Sequence, residues 1–135
     1  MNNGSLEKEE KELKAWNMAI VSIIVILTIA SITGITIYKY EHTFTTSKWN
    51  EDVHDRYKIV SNMLEKHNII GMSESDIIGL LGAEDSEQSS FKISREVFPP
   101  DTTLVYYLGV DYMDDCWLII SIENGVAVSY CIDIT

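Results

Sequence analysis

The sequence predicts an α+β protein in which an N-terminal transmembrane helix is followed by two helices packed on a three- to four-stranded antiparallel sheet. Three observations carry this prediction. A charge-free apolar run lies near the start, two helix-patterned segments follow it, and the last third alternates like β-strands between turn residues. With 135 residues in all, setting the apolar run aside leaves about 95 residues, enough for one small packed domain.

From Ala15 to Tyr38 no side chain is charged, and the polar residues are mostly Ser and Thr, whose hydroxyls can bond back to their own helix. At ~1.5 Å per residue the run is ~35 Å long, sufficient to cross a ~30 Å hydrocarbon core with some tilt. Trp16 stands at one end and Tyr38 and Tyr40 at the other, where amphipathic rings favour the headgroup level. The alternative, a cleaved signal peptide, calls for an apolar stretch of only ~7–15 residues and a small-residue cleavage site, which "IASITG" fits poorly. The first Cys is Cys116, so none stands at the end of the run to carry a lipid. Lys8, Lys11 and Lys14 precede the run, and Lys39 and Lys48 follow it. That slight bias places the N-terminus in the cytoplasm and the C-terminal domain outside the cytoplasmic membrane. The chain then divides into a mobile cytoplasmic tail at 1–14, a transmembrane helix at 15–38, a juxtamembrane linker at 39–48 and an α+β domain at 49–135. Ala30 and Gly34 form a small-xxx-small pair spaced for a helix-mediated dimer.

The net charge of −11 belongs to the outer part, where Lys48, Arg56, Lys58, Lys66, Lys92 and Arg95 face seventeen Asp and Glu. Such a balance repels phosphate backbones and anionic headgroups, which argues against nucleic-acid binding. It suits a basic partner, and it equally serves solubility.

Asn50 reads as the N-cap of the first soluble helix, with Val53, Tyr57, Val60 and Leu64 forming its apolar stripe and Asn68 or Gly71 ending it. Arg56, beside that stripe, is placed to pair with an acid such as Asp76. The second helix has a complete set of punctuation. Ser73 is the N-cap, Asp76 the reciprocal capping residue, Met72 and Ile77 the hydrophobic staple, and Gly82 the stop. Ile77, Ile78 and Leu81 form its buried face. Barely two turns long, it is marginal in isolation and must dock on something.

The docking surface follows in the strands "FKISREVF" and "TLVYYLGV" and the hairpin "CWLIISIENGVAVSYCIDI" around Asn124 and Gly125. A two-residue Asn-Gly loop sets Ile122 against Ala127 and Ile120 against Ser129. A three-residue loop from Glu123 to Gly125, closed by a glycine bulge, pairs Ile122 with Val126, Ile120 with Val128, Leu118 with Tyr130 and Cys116 with Ile132. The second gives one coherent apolar face and is preferred. It also sends Cys116 to the core and Cys131 to the opposite face, too far apart for a disulfide.

That opposite face carries Trp117, Ile119, Ser121, Ser129 and Cys131, joined by Tyr107 and Val105 of the preceding strand. We read Trp117, Ile119, Tyr107 and Cys131 as a candidate partner-binding patch, since exposed aromatic and aliphatic side chains at the centre of a face mark protein interfaces. The competing reading is that long side chains, or the link to the membrane, cover these rings.

Other chemistry is sparse. His42, His54 and His67 lack metal-ligand spacing, and no His-x-x-x-His occurs. Asp111, Asp114 and Asp115 offer hard oxygens without the rest of a Ca²⁺-loop pattern, and Glu74 and Asp76 are explained by the helix N-terminus. No paired-acid, phosphate-loop or Ser/His/Asp arrangement is present, so no catalytic residue, metal site or cofactor is assigned.

The order "WNEDVHDRYKIVSNML", "GMSESDIIGLLGAED", "YYLG", "DYMDD" and "WLIISIENGVAV" resembles the SmpA/OmlA, or BamE-like, small envelope domain, over roughly Trp49 to Ile134. That domain shares its two-helices-on-a-sheet plan with the beta-lactamase inhibitor proteins. Glu84 stands where the family motif often has Pro, and an apolar segment replaces the lipid-modified Cys. The resemblance implies a bacterial, non-enzymatic module that scaffolds an envelope complex or binds a protein partner, in some members through the sheet face. The alternatives are an inhibitor or immunity-type protein that blocks an enzyme, and a metal-dependent envelope enzyme using the acidic turn.

Overall fold

The computed structural model describes residues 3–85, 93–111 and 113–134. The chain forms two compact units, residues 1–40 and 41–135. Together they hold one long apolar helix, further short helices and a three-stranded antiparallel sheet, the α+β class expected from the sequence.

The first unit is essentially one helix, α1, Asn3–Glu41. It is long and apolar enough to cross a membrane. Its hydroxyls bond back one turn: Ser22 to the Met18 carbonyl at 2.9 Å, Thr28 to Ile24 at 2.8 Å, Ser31 to Leu27 at 2.8 Å, Thr33 to Ile29 at 2.9 Å and Thr36 to Ile32 at 2.8 Å. The apolar run therefore carries its Ser and Thr hydroxyls already satisfied. The polar segment, expected to be a mobile tail, is helical from Asn3 onward. Four-residue spacing pairs Lys11 with Glu7 at 2.9 Å and Lys14 with Glu10 at 2.6 Å, a pattern that supports an exposed helix.

The second unit begins where a linker was expected. Phe44 is in the core, its amide bonded to the Asn62 side chain at 2.9 Å. Thr45 caps α2, Thr46–Glu51, by accepting from the Lys48 amide. Asn50, read as a cap, lies inside α2; the true interruption is Asp52, whose carboxylate accepts the His54 amide and starts a 3₁₀ turn, Val53–Asp55. Helix α3, Arg56–Lys66, follows and buries Arg56, Ile59, Val60 and Met63. Its stripe is rotated from the expected one, with Tyr57 exposed, because the break at Asp52 resets the helical phase.

Helix α4, Glu74–Leu81, has the expected ends. The Asp76 amide donates to Ser73 Oγ at 3.2 Å, the Ser73 hydroxyl donates to the Asp76 carboxylate at 2.6 Å, and Gly82 stops the helix at φ 84°. Ile77 and Leu81 are fully buried, each contributing about 1.5–3 kcal/mol, whereas Ile78 is exposed.

The sheet has strand order β1 (Thr103–Asp111), β2 (Asp114–Glu123), β3 (Val126–Ile134). The segment "FKISREVF" does not form the expected strand: Phe91 and Lys92 lie outside the described residues, and 93–98 is irregular with a turn at 95–97. In the hairpin, Asn124 and Gly125 both have positive φ, 52° and 76°, as a two-residue type I′ turn requires. Pairing begins Glu123 with Val126 and Ile122 with Ala127, then shifts so that Ser121 meets Ser129, Ile120 meets Tyr130, Leu118 meets Ile132 and Cys116 meets Ile134. Val128 is the extra residue of a β-bulge. The three-residue loop is thus corrected to a two-residue one. The bulge supplies the apolar alignment that had favoured the longer loop.

One face of the sheet carries Leu104, Tyr106, Leu108, Cys116, Leu118, Ile120 and Ile122, packed with Phe44, Trp49 and the buried residues of α3 and α4. Trp49 sits edge-on to Phe44 and Tyr106, with ring centroids 6.0 Å away in both cases.

Candidate functional site

The expected aromatic patch is not a surface. Tyr107 and Trp117 have no exposed area and Ile119 is 2% exposed; with Val105 and Ile93 they form a second small core, closed by Val53 and Phe98. The irregular segment that replaces the expected strand is what covers them. Tyr107 and Trp117 meet at 5.2 Å between ring centroids, and His54 stands edge-on to Tyr107 at 5.9 Å. The 3₁₀ turn lies against β1 only because of Gly109, at φ 113°: a Cβ there would sit 2.1 Å from the His54 carbonyl oxygen. Of the four residues proposed for binding, only Cys131 is exposed.

The Tyr107 hydroxyl reaches the rim of this cluster and donates to Asp115 at 3.0 Å. Burial first, and that bond second, push its pKa up to about 12. Asp115 is therefore engaged, and Asp111 and Asp114 oppose one another at the end of the β1–β2 hairpin. Among the described residues no group of three His, Cys, Asp or Glu side chains is arranged to hold a metal ion.

Arg56 pairs with Asp85 and not with Asp76. The guanidinium also donates from Nε to the Trp49 carbonyl at 2.7 Å and from Nη1 to the Tyr107 carbonyl at 3.1 Å, and lies 4.8 Å over the Trp49 ring. Asp85 in turn accepts the Tyr107 amide at 3.0 Å, and its own amide donates to the Val105 carbonyl at 2.9 Å. Glu84 accepts the Val105 amide at 3.1 Å, a role no Pro could fill. The outer edge of β1 is thereby closed by side chains and by residues 84–85.

The other edge of the sheet differs. At its start β3 is covered: the Ala127 amide donates to Met72, the Gly71 amide donates to Ala127, and Ser73 bridges Val126. From Val128 onward, no described segment pairs with its outer side. Tyr130, Ile132 and Ile134, directly opposite core residues of β2, point to the helix side of the sheet yet are 41%, 46% and 53% exposed. The helices cover β1 and β2 and stop short of them. Cys131, on the reverse face between Ser129 and Asp133, has its thiol pKa raised by partial burial and then by the Asp133 charge.

The candidate site is this uncovered strip: an open hydrogen-bonding edge with three large apolar side chains beside it. Sequence reasoning missed it because the hairpin was expected to be covered evenly on one face. The usable signal was the shortness of the two helices, too little surface to roof three strands. Comparison of the chain with known protein families, with curated proteins and with solved structures returns no match.

Proposed function

We propose that the chain is a single-pass, membrane-anchored, non-enzymatic interaction module that presents an acidic α+β domain outside the cytoplasmic membrane. The observation that carries this reading is the open β3 edge with Tyr130, Ile132 and Ile134 exposed beside it. A strand edge offers unpaired amides and carbonyls to an added strand, and apolar side chains at alternate positions supply the pockets and anchors for it. Helix α1 supports anchoring by its length, its apolar surface and its satisfied hydroxyls. The lysine bias around it supports an N-terminus in the cytoplasm. The resemblance to BamE-like envelope domains agrees with a binding role, with the docking surface at the sheet edge in place of the sheet face.

A photoreactive residue at Tyr130, with a control at the exposed Tyr57, tests the reading in intact cells. Crosslinks from position 130 alone, in a protein that stays with the membrane after carbonate washing, are expected. Equal capture from both positions, or release by carbonate, overturns it.

A further inference from the structure

We propose that the occupant of the β3 edge is a second copy of this chain, joined β3 to β3 in antiparallel fashion about a two-fold axis at Cys131. This deepens, and rests on, the reading of the chain as an anchored interaction module.

The two edges of the sheet are treated differently. On β1 the outward groups of Val105 and Tyr107 are taken by Glu84, Asp85 and Arg56, the kind of closure that keeps an edge from pairing. On β3 no such closure follows Ala127 among the described residues. The Val105 and Tyr107 amides point away from β2, so their partners Ile119 and Trp117 face β3 and bond with Cys131 and Asp133. That leaves the backbone groups of Tyr130, Ile132 and Ile134 on the open side, where the Ile134 amide donates to the Asp133 side chain at 3.1 Å.

A two-fold pairing at Cys131 then fits β3 to itself. Tyr130 stands opposite the second copy's Ile132, exchanging both backbone bonds and joining the two exposed apolar strips into one. Ser129 stands opposite the second copy's Asp133, a hydroxyl facing a carboxylate, so no like charges meet across the strands. The symmetry is that of a closed dimer, in which each patch is its own complement. A strand pair of this length is smaller than the ~800 Å² per partner of a standard stable interface. Confinement of both copies to one membrane raises their effective concentration and offsets that deficit. Cys131 would meet its symmetry mate at a non-hydrogen-bonded position with Cα atoms about 4.5 Å apart, inside disulfide range, which makes it a reporter.

The test uses the full chain in native membranes treated with copper phenanthroline as oxidant. A disulfide-linked dimer is expected, absent in C131S and reduced at least tenfold in I132D. With Ile132 half exposed, I132D should keep the wild-type melting temperature. Register is checked in C131S: S129C alone should give no dimer, and S129C with D133C should restore it. If Cys131 reacts readily with a maleimide yet forms no dimer, or if I132D dimerises like the wild type, the proposal is overturned. Capture of a different protein at Tyr130 without self-crosslinking overturns this pairing and leaves the anchored-module reading standing. Loss of the chain from carbonate-washed membranes defeats that reading instead.

Discussion

The Asp85 carboxylate holds both the Arg56 guanidinium and the Tyr107 amide, so one buried acid joins helix α3 to the edge of β1. Both charged side chains are almost fully buried, and each depends on the other to remain there. Removing one partner leaves the other charged, desolvated and unpaired. Arg56→Met and Asp85→Ala should each destabilise the domain by about 3–5 kcal/mol in urea unfolding. The double variant should recover a substantial part of that loss. Additive losses would show that the two residues act separately.

Trp117 and Tyr107 are core residues, and their variants should behave accordingly. Trp117→Ala should cost about 3–5 kcal/mol in the same unfolding experiment. Tyr107→Phe keeps the ring and removes only the bond to Asp115, so a loss of about 1 kcal/mol is expected.

Gly109 is the point at which the 3₁₀ turn touches β1. Gly109→Ala combines a positive-φ backbone with a collision against the His54 carbonyl, and should cost at least ~3 kcal/mol or prevent folding. Gly71→Ala is the control: φ is 89° there but the space is open, so a loss of about 1–2 kcal/mol is expected from the backbone alone.

Parts of this arrangement are legible in the residues and parts are not. The α4 caps are local, and Ser73, Asp76 and Gly82 reveal them directly. The positions of the strands from Thr103 onward also follow from alternation and from the Asn124-Gly125 turn. The cover over Tyr107 and Trp117 is not local: it comes from residues 93–98, whose alternation imitates a strand, and from a helix break that only the Asp52 side chain signals. The Arg56 partner is not legible because distance along the chain says nothing of which acid lies at the edge of β1. The bulge at Val128 was missed since loop length and register were treated as one choice, whereas an extra residue within β3 separates them.

Alkaline pH should destabilise the domain. In the folded state the Tyr107 hydroxyl titrates at about 12, above the usual ~10 of an unfolded tyrosine, and Tyr106 is raised by burial and by Asp85 and Glu84. Between these values the unfolded chain has released protons that the folded chain retains, so the tyrosine contribution is complete below pH ~10 and is lost as pH rises toward 12. Melting temperatures measured from pH 8 to 12 should show this decline. Tyr107→Phe should make it shallower, the remainder being shared among Tyr106, the Cys131 thiol and Lys58, all raised in the folded state.

The proposed anchoring by α1 should fail when its apolar surface is broken near the middle. Ile26→Arg adds a penalty of about 2.5–3.5 kcal/mol to insertion at the helix centre and should increase the fraction released by carbonate. Leu6→Arg, in the charged part of the same helix, should not.

The bulge at Val128 absorbs the one residue by which β3 exceeds a regular ladder between the turn and Ser129. Straightening the strand with Val128 kept would exchange the faces of every side chain beyond it, setting Cys131 against Leu118 and turning Tyr130 and Ile132 toward Ile119 and Trp117. Deletion of Val128, with the Asn124-Gly125 turn retained, would instead leave Ser121 opposite Ser129 and Ile120 opposite Tyr130. Loss of Val128 would iron out the bulge and leave the two faces of β3 unchanged. Natural variation in this protein should therefore tolerate loss as well as exchange at position 128.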